Sequence, residues 1–182
     1  MKLKAIAVIL LILITGSVLA AQNYVFFGDS ITDGAWGASG GRAVPAAQRK
    51  LGDLNHIYGH SYVMLIASDW QASYSRERMN FYNRGMSGDT LEGLMSRWRN
   101  DVLPLRPDVL TILVGVNDSA GNIDVSAWEQ KYREMLNAIR KELPDCKFAL
   151  GTPFMAPFGR FGTAQGYNER SEIGRASCRE RV

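Results

Sequence analysis

Three short segments carry residue types that could together perform acyl transfer. Gly28-Asp29-Ser30-Ile31-Thr32-Asp33-Gly34 offers a serine hydroxyl in a glycine-bounded turn. Asn83-Arg84-Gly85-Met86-Ser87-Gly88-Asp89-Thr90 sets Gly88 where a backbone N–H can come close to a substrate oxygen. Gly115-Val116-Asn117-Asp118 adds a side-chain amide. A serine on a tight strand-to-helix turn can present its Oγ while its own N–H points into the same space. Acyl transfer needs this set: a nucleophile, and donors where the oxyanion develops. Each segment alone reads as an ordinary turn. Their joint occurrence, in order and each after a strand-like run, is the signal.

The runs around these loops indicate how they are positioned. Tyr24-Val25-Phe26-Phe27 reads as a short strand ending at Gly28. Tyr62, Val63, Ile66, Trp70 and Tyr74 recur at helical steps. Residues 80–83 read as a second strand and 90–98 as a helix, stopped before Pro104 and Pro107. Residues 108–114 are mostly apolar and β-branched, as expected of a strand buried on both faces. Ser126-x-x-Glu129 has the form of a capping box. Behind it Trp128, Tyr132, Met135, Leu136, Ile139 and Leu143 form a core stripe, ended by Pro144. Residues 146–150 read as a further strand. Strands alternating with helices predict an α/β fold, a parallel sheet covered on both faces. Ligands of such sheets sit at the carboxyl ends of the strands, where all three loops fall.

With these motifs and their order, residues 23–171 resemble the first three motif blocks of the SGNH (GDSL) hydrolase family. The resemblance implies a three-layer α/β/α, flavodoxin-like sandwich and ester hydrolysis without metal or other cofactor. It makes Ser30 the nucleophile, with the Ser30 and Gly88 N–H groups and the Asn117 amide as oxyanion hole. Asp29, Asp33, Asp89 and Asp118 belong to the supporting loops. The family's fourth block, Asp-x-x-His, supplies the base and the group that orients it. No such block follows the third one in the 182 residues: the spacing occurs only at Asp53-x-x-His56, and both histidines, His56 and His60, lie between the first and second blocks. The catalytic His and Asp are thus expected beyond residue 171, and this chain is expected to be a truncated, inactive fragment. The implied activity is removal of short acyl groups, such as acetyl, from a carbohydrate or a small ester. A lysophospholipase or thioesterase on the same fold, or a non-catalytic carbohydrate-binding domain, stays open.

Other chemistries fit less well. His56 and His60 are spaced for one helix face, but Gly59 intervenes and no third ligand is apparent, so no metal is expected. Asp29 and Asp33 could be glycosidase carboxylates, yet in this loop they suit bonds to turn N–H groups better. Gly34 to Gly41 lacks the glycine spacing of a phosphate loop. Of Trp36, Trp70 and Trp128, the last two fall on core stripes, leaving Trp36 for stacking on a sugar. Cys146 and Cys178 are too few for a disulfide framework or a four-cysteine zinc site.

The net charge of +3 sits at the ends. Lys2 and Lys4 give +2 to residues 1–20, and residues 172–182 add +1, so residues 21–171 are neutral. That gives no footprint for nucleic acid. Residues 1–20 combine a basic start, an apolar run from Ala5 to Ile14 and small residues before Ala20. This is the layout of a signal peptide, predicting a secreted or periplasmic protein with no stable membrane insertion after cleavage. Residues 172–182 match, residue for residue, a translated sequencing-library adapter, and are set apart as a non-native tail. The esterase domain is therefore expected over 21–171.

Overall fold

The computed structural model describes residues 21–37, 44–49, 57–120, 123–153 and 172–175. Residues 1–20, with the expected signal peptide, lie outside the described residues, as do His56 and Cys178. The chain runs β1 (Gln22–Gly28), α1 (Ser30–Asp33), α2 (Tyr62–Ser73), β2 (Met79–Gly85), α3 (Leu91–Asp101), β3 (Val109–Leu113), α4 (Val125–Glu142) and β4 (Lys147–Gly151). The strands form a sheet of order β2-β1-β3-β4, and every pair is parallel. The register sets Gly28 opposite both Gly85 and Leu113, and Leu113 opposite Gly151. All four strands therefore end at one rim.

Period-two alternation in β1 divides the core in two. Val25 and Phe27 face one way and are fully buried with Leu110, Ile112, Leu91 and Leu94 under α3 and α4. Phe26 faces the other way, with Phe81 from β2 and Val63 and Ala67 from α2. Each such fully buried side chain is worth roughly 1.5–3 kcal/mol. The parallel sheet between two helical layers is the α/β architecture expected. The chain first steps from β1 to β2 across α2, then reverses past β1 to β3 and β4 across α3 and α4. Right-handed crossovers require those two sets of helices to lie on opposite faces. The reversal makes the carboxyl ends of β1 and β3 the switch point of the sheet, where a crevice opens.

Three expectations need correction. Buried-on-both-faces does not describe β3: Leu110 and Ile112 are buried, but Val109, Thr111 and Leu113 are only half-buried. The α2 cluster covers β1 and β2 and includes no residue of β3 or β4 among the described residues. Ser126 does not cap α4. Asp124 does, its carboxylate accepting the Ser126 and Ala127 N–H groups at 2.9 and 3.1 Å. The residues after 171 do not stand wholly apart from the fold. Residues 172–175 form a helical turn, and Ile173 is fully buried in the main core cluster.

Candidate active site

The β1 strand ends at Gly28 because nothing larger fits there: a Cβ would lie 2.4 Å from both the Leu113 carbonyl oxygen and Thr32 Oγ1. The chain then turns into the single helical turn α1. Asp29 caps it, Oδ1 accepting the Ile31 N–H at 2.9 Å, and Gly34 closes it in the left-handed region at φ +51°. Ser30 is the first residue of α1 and is exposed on the rim, while Asp29, Thr32 and Asp33 beside it are buried.

The second loop is fastened to the first. Asp33 Oδ2 accepts the Ser87 backbone N–H at 3.0 Å and the Ser87 hydroxyl at 2.6 Å. Its Oδ1 takes a 2.7 Å ion pair from Arg49, and both side chains are fully buried. Met86 donates its N–H to the Gly28 carbonyl at 2.9 Å. Between these anchors Gly88 stands exposed at φ +88°, with nothing within 4 Å of where a Cβ would be. Its surroundings are open, while Gly85 is clamped: a Cβ there would lie 2.1 Å from the Asp33 nitrogen.

The third loop is fastened to the second. Asn117 Nδ2 donates to the Asp89 carbonyl at 2.7 Å, leaving its second amide hydrogen for another acceptor. The Asp118 carboxylate accepts the Leu91 N–H, at 3.1 Å to Oδ1 and 3.3 Å to Oδ2, and so caps α3 together with Thr90. The structure thus ties the three loops singled out from the sequence into one cluster on one rim. A cleft of about 390 Å³ opens beside Thr90 and Asn117, with Leu91, Ile123 and Trp128 in its lining and Glu92 and Lys131 bridged at 2.6 Å. That is the size of a small-molecule site.

Burial raises the proton affinity of the carboxylates here. Burial, assisted by the charges of Asp118 and Asp89, pushes Asp29 up to about 6. Its Oδ2 is buried and has no hydrogen-bond partner. Burial also raises Asp89, against the pull of Arg97, and Asp118, against the Leu91 N–H. Tyr62, whose hydroxyl lies 3.0 Å from Thr32 Oγ1, is pushed up to about 12 by burial.

Asp29 and Asp33 both accept turn N–H groups as expected, Asp29 within its own turn and Asp33 from Ser87 in the second loop, while Asp33 also pairs with Arg49. Trp36 does not stand free to stack on a sugar. It is 3% exposed, donates Nε1 to the Gly85 carbonyl at 3.0 Å, and lies under the Arg49 guanidinium at 4.1 Å. His60 donates its backbone N–H to the Gly34 carbonyl, beside the first loop. The described residues contain no cluster of three or more His, Cys, Asp or Glu fit for a metal ion.

Three supporting residues escaped the sequence reading. Asn83 is buried; Nδ2 donates to the Thr32, Asp33 and Tyr58 carbonyls and Oδ1 accepts the Gly85 N–H. An asparagine in the inward alternation Phe81-x-Asn83-x-Gly85 was the available signal. Arg97 anchors the strand ends, and its spacing four before Asp101 was visible. Arg49 comes from a stretch with no periodicity, and nothing in the sequence marks it.

The family model described as GDSL-like lipase/acylhydrolase matches residues 26–181. An acetylxylan esterase from Geobacillus stearothermophilus is 33% identical over 113 residues, which is 62% of this chain and 47% of that protein. The chain thus spans about half the length of this curated relative. A candidate GDSL-like lipase from Parabacteroides merdae superposes with a TM-score of 0.73 at 27% identity, over 87% of this chain and 72% of that one. A catalytic mutant of Axe2, an acetylxylan esterase from Geobacillus stearothermophilus, gives 0.64 at 28% identity, over 87% and 70%. Two Axe2 variants described as catalytic mutants are changed at an aspartate and at the histidine three residues after it.

Proposed function

The chain belongs to the GDSL-like lipase/acylhydrolase family, and from that premise we propose that it is the nucleophile-bearing part of a serine esterase that deacetylates carbohydrate. One observation carries the reading: exposed Ser30 heads α1 at the switch point, within the loop cluster that holds Gly88 and Asn117. Ser30 Oγ attacks the acyl carbon and its proton passes to a base. The carbonyl oxygen becomes an oxyanion that accepts from the Ser30 N–H, the Gly88 N–H and the free hydrogen of Asn117 Nδ2. Collapse expels the alcohol, which takes the proton back, and water releases the acyl group by the same steps. Acetyl is the favoured acyl group because an acetylxylan esterase is 33% identical over 113 residues of this chain. The cleft beside Asn117 takes the rest of the ester.

The base is the part the 182 residues do not supply. Their one Asp-x-x-His, Asp53 to His56, lies between the first and second loops and none follows the third, whereas the relative's catalytic mutants alter a pair with that spacing. Without it, turnover should fall by about 10⁶, leaving roughly 10³–10⁴ over water from binding and the oxyanion hole. The basic and apolar start, Lys2 to Ile14, supports export and action outside the cytoplasm.

Added imidazole can stand in for the missing base. The test is hydrolysis of p-nitrophenyl acetate by the 182-residue chain with imidazole, the Ser30→Ala rate being subtracted. A Ser30-dependent rate that rises with imidazole, and that is higher for acetylated xylo-oligosaccharide than for a lysophospholipid, is expected. Equal rates for parent and Ser30→Ala would remove Ser30 as nucleophile. Oligosaccharide binding without any Ser30-dependent rate would favour a binding domain instead.

A further inference from the structure

Arg97 lies on α3, two turns from the second loop, and none of the three motif segments contains it. Its guanidinium nevertheless meets the first two of the three loops that carry the proposed oxyanion donors, and the third through Asp89. Nη2 donates to the Gly28 carbonyl at 3.0 Å, the last residue of β1 and two before Ser30. Nη1 donates to the Arg84 carbonyl at 2.9 Å, near the end of β2, and to Asp101 Oδ2 at 2.7 Å. Nε donates to Asp89 Oδ2 at 2.7 Å, the residue after Gly88. The guanidinium lies 4.4 Å from the centre of the Phe27 ring, and its side chain is 12% exposed.

The contacts continue beyond Arg97. The Asp89 carbonyl accepts the Asn117 amide at 2.7 Å, so Asp89 is held by its side chain and in turn holds Asn117 by its backbone. The Gly28 carbonyl accepts Met86 N–H as well as Arg97, so one oxygen joins the first loop to the second. A planar fork with fixed donor directions can span such carbonyls, and a single ammonium cannot. Two carboxylates, Asp89 and Asp101, balance its charge.

We infer that Arg97 is the positioning residue of the oxyanion hole, setting the Ser30, Gly88 and Asn117 donors relative to one another through Gly28 and Asp89. The inference rests on the esterase reading for its functional meaning, but its geometry stands without it. A donor displaced by about 1 Å can cost about 100-fold in rate with no loss of binding. Loss of Arg97 should therefore appear in kcat and leave KM nearly unchanged.

The experiment compares the parent with Arg97→Gln and Arg97→Lys, with Arg133→Gln as a surface control. Ser30-dependent hydrolysis of p-nitrophenyl acetate in imidazole is measured together with ¹⁵N spectra of the Gly88 N–H and the Asn117 side-chain amide. Arg97→Gln should lower kcat about 10- to 100-fold with KM within about threefold. It should also shift both signals and speed Asn117 amide exchange. Arg97→Lys, keeping the charge but not the fork, should fall between. Unchanged Gly88 and Asn117 signals in a folded Arg97→Gln chain would overturn the inference. So would a KM effect at constant kcat, or full recovery in Arg97→Lys. If the parent shows no Ser30-dependent rate, the esterase reading fails, and the two amide signals still decide the role of Arg97.

Discussion

Asn117 spends one amide hydrogen on the Asp89 carbonyl and has one left to give. Its replacement by alanine should therefore do two things: delete the proposed oxyanion donor and loosen the Gly88-Asp89 backbone. The Ser30-dependent kcat in imidazole should fall by about 10²–10³, and a drop of less than about threefold would place Asn117 outside the oxyanion hole. Asp29 makes a different demand on its surroundings. Its buried carboxyl holds a proton up to about 6, above the ~3.9 of an unfolded chain. The unfolded state then ionises first as pH rises. The Asp29 contribution is fully present below about pH 4 and lost as pH passes 6, roughly 3 kcal/mol across the window. In Asp29→Asn, urea unfolding at several pH values should lack this fall. A parent whose stability at this site rises between pH 4 and 6 would contradict the buried, unpartnered Oδ2.

At the scale of elements, helix ends and strand ends do the positioning. Asp124 rather than Ser126 satisfies the first N–H groups of α4. Asp124→Ala should cost about 1 kcal/mol, and Ser126→Ala less than about 0.5 kcal/mol. Thermal melts of the two variants in the opposite order would restore the capping box. The two glycines at the end of β2 and in the loop after it should respond unequally as well. Gly85→Ala drives a methyl into the α1 backbone, 2.1 Å from the Asp33 nitrogen, and should cost about 3 kcal/mol or more. Gly88→Ala meets nothing and bears only its positive φ, roughly 1–2 kcal/mol. Equal losses in denaturant unfolding would mean that α1 does not pack on β2 as described.

The molecule as a whole depends on residues that arrive from far along the chain. The Arg49–Asp33 pair is fully buried and joins a loop without regular pattern to α1 and, through Asp33, to Ser87. Ile173 enters the core from the residues after 171 and lies against the backbone of Gly115, where a Cβ would meet its Cγ2 at 2.7 Å. Ile173→Ala should cost roughly 2–5 kcal/mol by emptying a buried site. It should also loosen the Asn117 loop that begins at Gly115. A change below about 0.5 kcal/mol in urea would return residues 172–175 to the status of an unpacked tail.

The sequence by itself determined the elements and the order of the three loops. Apolar periodicity at two or three-to-four residues is a local property, and glycine, asparagine and serine at strand ends follow from local backbone geometry. Thus β1, β2, β3, β4 and helices α2 to α4 were legible to within a few residues, as was the meeting at one rim of the loops that carry Ser30, Gly88 and Asn117. Where local cues competed, the choice was wrong by a short step: Ser126-x-x-Glu129 and Asp124 are both good caps, and only the path of the chain into α4 favours Asp124. The tertiary structure alone decided which residues sit between the loops. Trp36 reads as an exposed loop aromatic until the Gly85 carbonyl and Arg49 close over it. Besides near neighbours such as Asp101 and Gly85, Arg49, Arg97 and Asn83 bond partners between 8 and 69 positions away, and no local pattern encodes those distant meetings. They exist because the reversal of a parallel sheet brings separate strand ends to one rim, where buried backbone carbonyls and carboxylates must be satisfied by whatever donors the fold brings within reach.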